Sequence, residues 1–174
     1  MNGKIPIKLA GLQIYKEGSN QSFATGDVTL PSMALMTDSL SGAGILGTAD
    51  IPSQGHFESM ELGITWRTID KDAFELMNLN SGLEIRGAFS GWDTTRTATV
   101  YTPIKIVVRG MSKGLDLGTL ANNAATDTTN TIEVIYIKIF IDGQAAFEFD
   151  RFNYICRING QDALLDVRKA LGLA

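Results

Sequence analysis

Apolar and polar residues alternate with period two along much of the chain, the spacing at which successive side chains point to opposite faces of a strand. In residues 59–66, Met60, Leu62, Ile64 and Trp66 share one face while Ser59, Glu61, Gly63 and Thr65 share the other, which predicts a half-buried strand. Leu83, Ile85, Gly87 and Phe89 alternate with Glu84, Arg86, Ala88 and Ser90 in the same way. Val100, Thr102, Ile104, Ile106 and Val108 alternate with Tyr101, Lys105 and Arg109 in a strand expected to end near Gly110. Residues 131–141 are apolar on both faces and rich in β-branched side chains, as a central strand covered on both sides requires. Asp142-Gly143 then leads into residues 144–152, where Ala145, Phe147 and Phe149 alternate with Glu148 and Asp150. Asp-Gly between two such runs is a hairpin signal, because a type I′ turn needs positive φ. A first hairpin is expected from residues 9–15 and 23–30 around Glu17-Gly18-Ser19-Asn20.

Two segments carry a helical period instead. Residues 69–78 place Ile69, Ala73, Phe74 and Met77 on one stripe, with Asp70 and Asp72 where the helix dipole favours anions. Residues 162–171 follow an Asn159-Gly160 turn, place Leu164, Val167 and Leu171 on one side and Arg168 and Lys169 in the last turn, and stop at Gly172. The expected fold is mainly β, with one flanking helix and a short C-terminal helix covering the sheet. Two segments fit neither period. Residues 31–54 scatter Met33, Leu35, Met36, Leu40, Ile45, Leu46 and Ile51 among Ser, Gly and Thr, and read either as a pair of irregular strands or as an adhesive arm awaiting a partner. Residues 118–130 hold Ala, Asn, Thr and Asp with little to bury, and are expected to be a flexible polar loop.

Composition narrows the function. A chain of 174 residues is long enough for one domain to build a core unaided. One Cys closes no internal disulfide and builds no thiolate zinc site, and one His supplies no His-rich metal centre. The longest apolar runs fall far short of the ~20 residues of a membrane helix, and residues 1–8 have no apolar core of a secretory signal, so cytosolic synthesis and no membrane insertion are expected. An acidic pI near 4.9 argues against a duplex-binding surface. The net charge of −4 is unevenly placed: residues 1–16 hold Lys4, Lys8 and Lys16 and no acid, whereas residues 17–66 hold Glu17, Asp27, Asp38, Asp50, Glu58 and Glu61 and no Lys or Arg. That stretch reads as a solvated acidic face, or as a surface that repels a polyanion.

No catalytic, cofactor or metal residues emerge. Gly42-Ala43-Gly44-Ile45-Leu46-Gly47 spells the dinucleotide-binding fingerprint, but that fingerprint must open a helix, and Pro52 follows too soon. These glycines are read as letting the loop turn sharply or approach a neighbour closely. Cys156, in a run with strand character, is read as a small buried thiol, and His56 as solvent-facing. Glu58 and Glu61 point to opposite faces of a strand and cannot share a substrate. Trp66 belongs to the core face of its strand, while Trp92 with Asp93 and Arg96 leaves open a carbohydrate-binding β-sandwich module.

The order of motifs resembles the major tail tube proteins of contractile-tailed phages and phage-tail-like bacteriocins. The resembling positions are Leu30-Pro31, Gly42-Ala43-Gly44 with Gly47, Ser59-Met60-Glu61, Arg109-Gly110 followed by Lys113, Asp116 and Gly118, Asp142-Gly143, and Asn159-Gly160 with Asp162, Leu164, Arg168 and Gly172-Leu173. They span nearly the whole chain, and the Thr- and Asn-rich residues 118–130 depart from the pattern. The resemblance implies one tail-tube domain over residues 1–174, an antiparallel β-sandwich or barrel-like subunit. Six copies would close into a ring and rings would stack into a tube in the virion, with sheath, baseplate and tape-measure proteins as partners and DNA passing through without specific binding. On that reading, Leu40, Gly42, Ala43, Gly44, Ile45, Leu46 and Gly47 are expected at contacts between subunits or rings. Ser59, Glu61, Gly63 and Thr65 are expected to face the lumen. A DNA-free bacteriocin or a secretion-type injection particle would use the same ring.

Overall fold

The computed structural model describes residues 3–20, 22–23, 26–78 and 82–173. In chain order its elements are β1 (Lys4–Lys16), β2 (Gly26–Thr29), β3 (Leu35–Leu40), β4 (Ala49–Phe57), β5 (Glu61–Trp66), α1 (Lys71–Glu75) running into a 3₁₀ turn (Leu76–Asn78), β6 (Leu83–Asp93), β7 (Ala98–Asp116), β8 (Thr128–Ile141), β9 (Gln144–Asp150), β10 (Ile155–Ile158), β11 (Gln161–Asp162) and α2 (Leu165–Ala170). The fold is mainly β with two short helices, and every described strand pairing is antiparallel.

The organising strand is β8. One side of it pairs with β7 along nearly its whole length. The other side pairs with β5 at Thr128–Glu133 and with β9 at Tyr136–Ile141. A strand shared in this way splits the sheet into two wings: β2 lies outside β5, and β10 and β11 lie outside β9. Beyond β7 the sheet continues through β6 to β1. Bulges in β7 between Arg109 and Gly110 and between Ser112 and Gly114 bend the strand where the wings diverge. Gly110 is required there, because a Cβ would lie 2.0 Å from the Glu133 carbonyl oxygen.

The wings enclose a core of Met60 just before β5, Leu62, Ile64 and Trp66 from β5, Leu83 and Ile85 from β6, Ile106 and Val108 from β7, Ile132, Val134 and Ile137 from β8, and Phe149 from β9, all buried. Full burial of such side chains stabilises the fold by about 1.5–3 kcal/mol each. Polar pins hold the core to its cover. Trp66 Nε1–H donates to Asn130 Oδ1 at 2.7 Å, and Asn130 Nδ2 donates to the Ala73 carbonyl of α1 at 2.9 Å. Thr128 donates to the Leu117 carbonyl at 3.0 Å. Both Asn130 and Thr128 are completely buried.

The alternating strands lie where the pattern placed them, and Asp142 and Gly143 form the β8–β9 turn with φ of 52° and 78°. Other expectations are corrected. The strand expected to end near Gly110 continues to Asp116, because the bulges let it follow β8 through the bend. The polar loop ends at Asp127 rather than Asn130, since Thr128–Asn130 pair with β5 and Thr128 and Asn130 bury their side chains. Among the described residues the first hairpin shrinks to a single bridge between Tyr15 and Ser22; β1 pairs with β6 and β2 with β5 instead. Ala24 and Thr25, within that expected hairpin, and Met1 and Asn2 lie outside the described residues.

The helices are shorter than their periodicity suggests and bury other residues. Asp70 caps α1, accepting from the Asp72 N–H at 3.2 Å. The buried pair is Ala73 and Leu76, while Ile69, Phe74 and Met77 are exposed. In the C-terminal segment Asp162 lies in β11, accepting from Leu164 N–H and pairing with Arg168, so the helix begins at Leu165. Leu164 is buried, but Val167 and Leu171 face outward. A helix of one or two turns buries only the residues at its landing point, so a longer apolar stripe is left uncovered.

Candidate assembly surfaces

Residues 31–54 form neither a buried element nor a structureless loop. β3 and β4 pair only with each other, with Asp38 opposite Ile51 and Leu40 opposite Ala49, as a two-stranded arm off the main sheet. Its base is fastened. Phe57, the last residue of β4, is buried edge-on against Phe149 and Phe147, with ring centroids 4.9 and 6.1 Å away. Arg151 donates to the carbonyls of Phe57 and Glu58, each at 3.1 Å, and the Glu58 N–H donates to the Ala34 carbonyl at 2.9 Å. Beyond that base the arm is exposed. Leu40, Gly42, Ala43, Gly44, Ile45, Leu46 and Gly47 are all solvent-facing, as are Met36 and Ile51. Gly42, Gly44 and Gly47 adopt positive φ, so the fingerprint-like glycines build the turn of a hairpin, with strand β4 following them.

The arm is amphipathic across its faces. Paired residues of an antiparallel ladder project to the same side, so Met36, Asp38, Leu40, Ala49 and Ile51 share one face, opposite Thr37, Ser39, Asp50 and Pro52. Isolated two-stranded hairpins are marginal in water. An exposed apolar face on one gains most from a partner.

Glu61, Gly63 and Thr65 keep to one side of β5, on the face away from the core, and with Ser59 just before the strand are exposed or half-buried. That face is already in use within the subunit. Ser59 Oγ donates to Glu133 at 2.7 Å, Lys113 Nζ pairs with Glu61 and lies 3.8 Å from Glu133, and the Thr65 and Thr129 hydroxyls are 3.3 Å apart. The hydrogen bond to Glu61 holds the Lys113 ammonium above the usual lysine range. Likewise Glu17 receives two hydrogen bonds from Arg109, at 2.6 and 2.8 Å, which hold its carboxyl below its ordinary range. Two acids of the base-free stretch are thus neutralised by bases that β7 supplies from a distant part of the sequence. Asp27, Asp38, Asp50 and Glu58 form no ion pair among the described residues.

A further surface, absent from the sequence reading, consists of sheet edges. β1 pairs only with β6, so among the described residues the opposite edge of Lys4–Leu12 is free. β7 meets β8 only from Ile104 onward, leaving the outer edge of Ala98–Thr102 free on the other side of the same three-stranded extension. Open edges follow from pairing register, for which alternation within one strand carries no signal.

Groups with possible chemistry are scattered or committed. Cys156 is buried in β10, and burial pushes its thiol pKa up, which disfavours the reactive thiolate. His56 is exposed on β4. Burial and a hydrogen bond to Glu148 push Tyr136 up to about 12. Trp92 is partly exposed, but Asp93 Oδ1 accepts from the Thr95 and Arg96 amides at 2.9 and 3.1 Å, closing the β6–β7 turn. No group of three or more His, Cys, Asp or Glu that could hold a metal occurs among the described residues. Among the described residues, no helix is long and apolar enough to cross a membrane.

Comparison with known proteins points the same way as the surfaces. A family model described as phage tail tube protein FII matches residues 6–172. The tail tube protein of Escherichia phage P2 is 26% identical over 174 residues, covering 97% of this chain and 99% of that protein. The major tail tube protein of Serratia phage KSP20 is 26% identical over 176 residues, covering 97% and 98%.

Proposed function

The chain belongs to the phage tail tube protein FII family, a structural component of the virion tail, and from that premise we propose that it builds the inner tube of a contractile tail as a single non-enzymatic domain. Six copies close into a ring, rings stack through the β3–β4 arm, and DNA passes through the bore during delivery. The number six and the sheath, baseplate and tape-measure partners come from the resemblance to contractile-tail tube proteins. What supports ring closure is the pair of free edges at opposite sides of one sheet. β1 and β7 are each antiparallel to β6 and so run parallel to each other. The outer edge of β7 in one copy can therefore pair with the outer edge of β1 in the next, as a parallel seam. Such a contact is heterologous and closes only by rotation, and it satisfies edges that would otherwise invite uncontrolled pairing.

Ser59, Glu61, Gly63 and Thr65 are assigned to the lumen. Glu61 and Glu133 together engage the single Lys113 ammonium on this face and leave a net negative charge, so DNA can slide past without the free Lys and Arg contacts to phosphate that dominate non-specific affinity. Glu61→Lys would remove the partner of Lys113 and leave two adjacent cations. The expected outcome is normal tubes with slowed DNA ejection, and unchanged infectivity would reject this orientation. The ring reading is tested by electron microscopy of the purified protein. Rings or tubes of uniform bore are expected, and a monodisperse monomer at all concentrations would refute it.

A further inference from the structure

We propose that the acceptor for the β3–β4 arm is the apolar face of the β1–β6–β7 extension on another copy of this chain. The inference rests on the tube reading and identifies the surface that the arm meets. Along this extension Leu9, Phe89 and Thr102 lie side by side, as do Leu12, Gly87 and Ile104. The resulting shallow channel is lined by Leu9, Leu12, Val28, Leu30, Phe89 and Ile104. Leu9, Leu30 and Phe89 remain exposed at its mouth because the core ends at Ile85 and Ile106. The sheet therefore continues past its own core and presents an apolar face that Val28 and Leu30 flank but leave open at Leu9 and Phe89.

Shape and charge both select the arm. Its apolar face is a two-stranded ribbon carrying Met36, Leu40 and Ile51, and the only charged residue on that face is Asp38, since Asp50 lies on the other. At the far end of the acceptor, Lys4 lines the groove beside Pro6, Gly91 and Val100, and Arg96 projects from the adjoining turn. The nearby Asp93 carboxylate accepts from its own turn amides and pairs with Arg96 at 3.9 Å, so Lys4 is the cation at this end that forms no ion pair among the described residues. Leu40 and Ile51 would lie over Leu9 and Phe89, placing Asp38 toward Lys4. The arm is fastened at Phe57 and Arg151, and beyond that base its strands pair only with each other and leave Met36, Leu40 and Ile51 exposed, so the acceptor belongs to a neighbour. One such contact per subunit, repeated head to tail, propagates an open stack.

The test uses full-length protein with Cys156→Ala, which leaves no other thiol. Leu40→Cys and Phe89→Cys are placed in the same chain, and tubes are oxidised and run on a non-reducing gel. A ladder of disulfide-linked subunits is expected, with linked heterodimers from a mixture of the two single variants. Independently, Lys4→Glu should raise the concentration needed for polymerisation at low salt by about tenfold, and adding Asp38→Lys to the same chain should restore it. Tubes that form without the ladder overturn the inference, as does Lys4→Glu assembling like the parent or Asp38→Lys failing to rescue it. The unmodified protein judges the tube reading separately: if it never forms rings or tubes, that reading falls. The mixed single variants then still report whether arm and groove meet in a dimer.

Discussion

β5 and the β3–β4 arm are neighbours in the chain and close in composition, yet their apolar residues meet opposite fates. On β5 and the residue before it, Met60, Leu62, Ile64 and Trp66 are buried under the opposite wing. On the arm, Met36, Leu40 and Ile51 share a face in the same way and stand in solvent. The difference is not hydrophobicity but pairing. β5 lies between β2 and β8, which carry it into the core, whereas β3 and β4 have only each other. The first region supplies subunit stability and the second is free to supply assembly.

Mutations should separate the two roles. The largest effect is expected from deleting Leu40–Gly47, which should abolish polymerisation and leave the thermal unfolding of the subunit nearly unchanged; normal tubes in negative stain would erase the distinction. Leu62→Ala should do the reverse, costing about 2–5 kcal/mol of subunit stability in denaturant titration, as fully buried leucines do. If it costs less than about 1 kcal/mol, β5 is not the stability-bearing region. Asn130→Ala strands the Trp66 indole N–H and a carbonyl of α1, and should cost about 1–3 kcal/mol, visible as an altered tryptophan fluorescence together with a lower melting temperature.

The smallest effect concerns the ion pair that ties β1 to β7. Glu17 has a lowered folded-state pKa, so its stabilising contribution is complete above the ordinary carboxylate value of 4.5 and is lost as pH falls through the folded value. Arg109 is largely exposed, so the contribution should stay below about 1 kcal/mol. Comparing the stability–pH curves of parent and Glu17→Gln below neutral pH measures it. The curves should converge in acid, and a gap that widens as pH falls would contradict the assignment.

What was legible in the sequence follows from how local each signal is. Alternation revealed the core face of β5 and the central position of β8, and Asp142-Gly143 revealed its turn, because these depend on neighbouring residues and backbone sterics. The helical stripe of Ile69, Phe74 and Met77 misled, since a period reports which residues share a face and not how much of that face the sheet covers. The base-free acidic stretch misled in part, because Arg109 and Lys113 reach Glu17 and Glu61 across the fold. The free edges of β1 and β7 were not legible at all, since they arise from register between strands far apart in the chain.

By itself, then, the sequence determined a mostly β chain, the face on which β5 is buried, the lack of thiolate or His-rich metal chemistry, and an apolar segment at residues 31–54 poised for contact. Those properties are written in side-chain chemistry and short-range period. Only the tertiary structure decided that this segment is an arm anchored by Phe57 and Arg151, that two acids are paired off, and that the β1–β6–β7 extension outruns its core with two open edges. These follow from where strands end relative to one another, a long-range outcome of packing that residue patterns do not encode.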